Sequence, residues 1–166
     1  MSTTRQLSKV VLSAFLALLS AAVFAAGWTI YQAKPYGFSM LIPQGAKVTE
    51  HEWGGGWGGL SSQFEGVRLY GQAKLGAKES DDDIEKYALR VIGIPASAWT
   101  QIDSGRNQRG WERYRTFSAR QGAKLVFGGY GVGRQGNYLL YIETTPEDFQ
   151  QYRSDYDAWY ASIRLE

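Results

Sequence analysis

The 166-residue chain has no cysteine, one histidine and four prolines. Without cysteine it can form neither disulfides nor thiolate metal sites, so its fold must stand on its core alone. With a single histidine, the common nucleophile, base and orienter sets reduce to His51 with a serine such as Ser61 or Ser62. No Gly-x-Ser-x-Gly elbow surrounds either serine, and hydrolysis by that route is not expected. Glu50-His51-Glu52 lacks a second histidine for a facial metal site, and in a strand its two glutamates point away from the imidazole. A surface trio is the expectation, and no metal or other cofactor is predicted.

The chain has only one long apolar run, Val10 to Phe24, and Ser13 and Ser20 interrupt it. Membrane anchors need about 20 predominantly apolar residues. The positive stretch Met1 to Lys9, the short apolar run and the ending Val23-Phe24-Ala25 instead follow the plan of a secretory signal peptide cut after Ala25. No cysteine stands at the cut, so a lipid anchor is not indicated. Residues 1–25 are therefore expected to be a signal peptide, and 26–166 one domain, periplasmic or secreted, with no stable membrane anchor.

Net charge of one sign is also lacking. The whole chain has 18 basic and 16 acidic residues, and removing Arg5 and Lys9 leaves 16 of each. No field remains to recruit nucleic acid or anionic lipid, so neither is expected as a partner.

Two segments have helical spacing. Ser80 is a capping residue followed by Asp81, Asp82 and Asp83, with Ile84, Tyr87, Ala88 and Val91 on one face before Gly93 and Pro95 end the run. The aspartates suit the positive end of a helix dipole and lack the register of a calcium loop. Thr145-Pro146-Glu147-Asp148 opens a second helix, whose Phe149, Tyr152, Tyr156, Trp159 and Ile163 form one apolar stripe. Between the helices the period is two. Val67 to Leu75 alternates, and Trp28 to Ala33, Phe38 to Ile42, Gly110 to Ala119, Lys124 to Val132 and Asn137 to Thr144 are further strands. Turns are expected at Pro35 to Gly37, Asp103-Ser104-Gly105, Gln121-Gly122 and Gly133 to Gly136, and short turns make the last three strands an antiparallel meander. The reading is α+β: a single antiparallel sheet packed by a middle helix and a C-terminal amphipathic helix.

In element order and length the chain resembles the Mog1/PsbP-like α+β domains, through the strand and turn "YGFSMLIPQGAKV" (36–48) and the closing "FQQYRSDYDAWYASI" (149–163). That resemblance implies the fold and a non-enzymatic binding or assembly role, and it carries over no site residue.

Three stretches bear on function. Gly131 to Gly136 fits Gly-x-Gly-x-x-Gly, but strand-like residues follow where a dinucleotide site needs a helix, so a hairpin turn is expected. Residues 106–120 interleave Arg109, Arg113, Arg115 and Arg120 with Trp111, Tyr114 and Phe117. They suit either a solvated sheet face or a surface for an anion or acidic partner. "HEWGGGWGGL" (51–60) sets five glycines around Trp53 and Trp57. Its tryptophans either tuck under a long hairpin or form a movable flap over a ligand or partner. Trp53, Trp57, Trp111, Arg113 and Arg115 are the candidate binding residues. The expected role is a non-catalytic, exported binding or assembly-accessory protein for an envelope protein. The alternative is a small-ligand module, of glycan type, using the tryptophans as stacking platforms.

Overall fold

The computed structural model describes residues 27–166. The expected signal peptide lies outside them. Ten strands and three helices follow in chain order: β1 (Trp28–Ala33), β2 (Phe38–Pro43), β3 (Lys47–Gly54), β4 (Trp57–Phe64), β5 (Val67–Leu75), α1 (Asp81–Ile92), β6 (Trp99–Gln108), β7 (Trp111–Gln121), β8 (Lys124–Gly133), β9 (Gly136–Thr144), α2 (Pro146–Gln151), α3 (Arg153–Ser162) and β10 (Arg164–Leu165). Strands β3 to β9 form one antiparallel sheet in the order β3-β4-β5-β9-β8-β7-β6. Strands β1, β2 and β10 form a second, smaller sheet with β2 at its centre.

The large sheet is covered on both faces. On one face α1 lays Ile84, Tyr87, Ala88 and Ile92 on Trp57, Phe117, Tyr130, Leu139 and Tyr141. On the other, the small sheet and α3 enclose Phe38, Met40, Leu60, Leu69, Trp111, Tyr138, Tyr156 and Trp159. The central strand β9 is accordingly buried along nearly its whole length, which explains its near-continuous run of apolar and aromatic residues. The middle helix begins as its residues dictate: the Ser80 side chain accepts the Asp83 backbone N–H, and Gly93 closes it in the left-handed conformation.

The second layer closes because glycines in the large sheet leave room for rings. A Cβ on Gly71 would collide with the Phe38 ring, and one on Gly129 would collide with the Tyr160 ring. These sites require close approach rather than an unusual backbone.

Several expectations need correction. The α+β class stands, but the sheet is not single, because β1 and β2 pair with each other outside the main sheet and β2 also pairs with β10. The closing helix is not one rod. It breaks at Tyr152, whose backbone is non-helical and whose side chain is 44% exposed, so Tyr152 leaves the apolar stripe. Both halves meet Phe127 of β8, through Phe149 of α2 and Tyr160 of α3, but only α3 also reaches β2, where Ser162 accepts the Leu41 N–H. Asp103-Ser104-Gly105 is not a turn but lies within β6, paired to Thr116, Arg115 and Tyr114 beside a bulge. The meander and the β8–β9 hairpin over Gly131 to Gly136 are as the sequence indicates.

Two outcomes follow from this packing. Gly71→Ala should lower stability by about 1–3 kcal/mol through overpacking against Phe38, read as a lower urea midpoint with unchanged slope. Burial pushes the Tyr138 and Tyr160 phenols up from 10.0 to about 12. The folded state then holds those protons longer than the unfolded chain, so the stability they contribute below pH 10 should be lost as pH rises through about 12. Tyr138→Phe, which removes a buried hydroxyl with no hydrogen-bond partner, should flatten that decline in denaturation curves taken across the range.

Candidate functional site

The glycine and tryptophan stretch is a tight hairpin. Gly54, Gly55 and Gly56 all have positive φ, and β3 and β4 pair on either side of them. Trp57 turns inward: it is 4% exposed and stacks on Tyr87 of α1, with ring centroids 4.0 Å apart and planes 6° from parallel. It fastens the hairpin to the helix and is no open platform. Trp111 is 1% exposed and meets the Tyr138 ring edge-on at 6.1 Å. Neither can stack on a ligand, because each already supplies its faces to the core. Trp53 alone of the three stays half-buried, with its ring 5.2 Å from the His51 ring.

The arginines are also engaged. Arg113 Nε donates to Asp81 Oδ1 at 2.6 Å and its guanidinium also bonds the Glu79 carbonyl. Arg115 Nη1 donates to Glu85 Oε2 at 3.2 Å, and the Tyr130 hydroxyl donates to the same carboxylate. The stretch is therefore neither a solvated face nor an open anion site at these two residues. It clamps the first turns of α1 to β7, which gives Asp81 a second task beside its place at the helix start.

Around Trp53 a hollow of about 240 Å³ opens on the α1 side of β3, β4 and β5, lined by His51, Ser61, Arg68 and Tyr70 among others. His51 Nε2 and Ser61 Oγ lie 2.7 Å apart, and among the described residues no carboxylate bonds the imidazole. Glu50 points to the opposite face, where it accepts a 3.4 Å hydrogen bond from the Tyr36 hydroxyl. Among the described residues no three His, Cys, Asp or Glu groups gather as a metal site.

The sequence reading missed an apolar groove. It has about 330 Å³ and lies where the β4–β5 turn, the junction of α2 and α3, and the start of β1 meet. Trp28, Phe64, Val67, Tyr152 and Tyr156 line it together with Glu65, Asp148 and Asp155. Phe64 is 43% exposed and Tyr152 44%. Tyr152 is available because the closing helix breaks there, and Phe64 because it ends β4 just before the turn. Glu65 holds a positive φ of 50°, a conformation rare for a residue with a side chain, at the tip of that turn. A neighbouring hollow of about 430 Å³ is lined by Arg68 and by a Lys124–Glu143 pair at 3.3 Å, among others.

The architecture places the chain in a class: it has a PsbP-like α+β fold. Its shape is similar to the solution structure of cyanobacterial PsbP (CyanoP) from Synechocystis sp. PCC 6803, with a TM-score of 0.59 and 14% sequence identity over 85% of this chain and 94% of that one. No protein-family model matches the chain, and no curated protein matches it. At that identity the likeness is one of fold, so the site residues rest on this chain's own geometry.

Trp57→Ala should cost about 3–5 kcal/mol, since it empties a stacked core position. Trp53→Ala should cost about 1 kcal/mol or less. Urea unfolding of the two variants side by side separates a structural tryptophan from an available one.

Proposed function

We propose that the protein is an exported, non-catalytic module that docks a polypeptide partner in the cell envelope. The observation that carries this reading is the groove holding Phe64 and Tyr152, two large side chains each more than two-fifths exposed beside the buried Tyr156. Apolar rings gathered at one open groove are a mark of an interaction surface. Export rests on the leader pattern of Met1 to Ala25. The non-catalytic part is supported by the state of His51: its hydrogen bond is to Ser61, and among the described residues no carboxylate orients the imidazole to activate that hydroxyl. The binding or assembly role that the sequence's resemblance to Mog1/PsbP-like domains implies agrees with this reading.

The expected result is that the protein captures a discrete envelope polypeptide from extracts of its own organism, and that Phe64→Ser together with Tyr152→Ser removes the capture while leaving the melting temperature within a few degrees. Capture unaffected by the double variant would overturn the reading.

A further inference from the structure

The groove also indicates the chemistry of its occupant, an inference that rests on the docking role above. Glu65, Asp148 and Asp155 line it, and among the described residues no lysine, arginine or histidine does. None of these three carboxylates takes part in an ion pair among the described residues, whereas Glu79, Asp81, Glu85, Glu112 and Glu143 each have a lysine or arginine partner. Three carboxylates without an ion pair among the described residues thus surround an apolar opening. From these facts we infer that the groove receives an apolar segment of a partner polypeptide that carries lysine or arginine.

The physical fit is specific. A long basic side chain lays its aliphatic stem along rings and carries its charge to the rim, and here the Trp28, Phe64 and Tyr152 rings lie beside the carboxylates. A cation over an aromatic face gains further attraction. About 330 Å³ is near the lower end of ligand sites, roughly 300–1,000 Å³, so a few side chains fit better than a bulky cofactor. Anionic lipid is disfavoured by the same carboxylates. The positive φ of Glu65 holds one of them at the turn, at a conformational cost that its neighbours must offset.

The test uses the protein and a fluorescein-labelled peptide of about a dozen residues, with leucine and lysine on one helical face. Its counterpart has glutamate in place of lysine. Anisotropy should show the lysine peptide binding at least about tenfold more tightly than the glutamate peptide, with the preference shrinking as sodium chloride is raised. The double variant Glu65→Gln with Asp155→Asn should lose about fivefold or more for the lysine peptide and keep the parent melting curve. Equal binding of the two peptides, or an unchanged double variant, would overturn the inference. So would preferential binding to anionic vesicles, or self-association through Phe64. If Phe64→Ser with Tyr152→Ser abolishes capture of the envelope partner while the charge variant retains it, the docking role survives and this assignment of partner chemistry fails.

Discussion

The contact between the Phe38 ring and the backbone of Gly71 sets the distance between the two sheets. Interiors pack at crystal-like density, so a layer either meets its neighbour closely or leaves voids that cost stability. Here Phe38 presses onto a strand position with no side chain, and Tyr160 does the same at Gly129, so strand β2 and helix α3 settle against β5 and β8 together. That depth brings the end of β2 and the start of β1 beside the β4–β5 turn, which is where the apolar groove lies. The groove is a by-product of how closely the layers meet.

Charge is divided between two tasks. On the α1 side, Arg113 and Arg115 are tied to Asp81 and Glu85, where partly shielded, charge-assisted hydrogen bonds position the helix over the sheet. On the opposite side the carboxylates Glu65, Asp148 and Asp155 take part in no ion pair among the described residues. Near-zero net charge therefore hides an asymmetry that composition cannot show. A residue's sign is read from the sequence, but whether it is satisfied depends on which element folds over it.

Much of the fold was legible because its elements carry strong local signals. Ser80 and Thr145 cap helices, β1 and β5 begin and end where alternation does, and the meander follows from its short turns. The misreadings share one cause, which is tertiary context overriding local pattern. Asp103-Ser104-Gly105 has turn composition, yet pairing with β7 holds it as an edge strand with a bulge. Phe149 to Ile163 has perfect helical spacing, but only its second half reaches on from β8 to β2 and the chain breaks at Tyr152. The candidate site was legible only in part. Trp57 and Trp111 were visible as aromatics in suggestive settings, but burial separates a core ring from a platform, and burial is a property of partners distant in sequence. Phe64 and Tyr152 were invisible as a pair because the sequence places them far apart and on unrelated elements.

The small sheet has a kinetic consequence. Its centre, β2, is completed by β10, and the Leu41 N–H reaches Ser162, 121 residues further along the chain. Closing so large a loop is entropically costly before the contacts that reward it can form. The layer that holds Phe38 on Gly71 therefore cannot be completed until β10 has been synthesised, so the first described strands wait on the last before the small sheet can close.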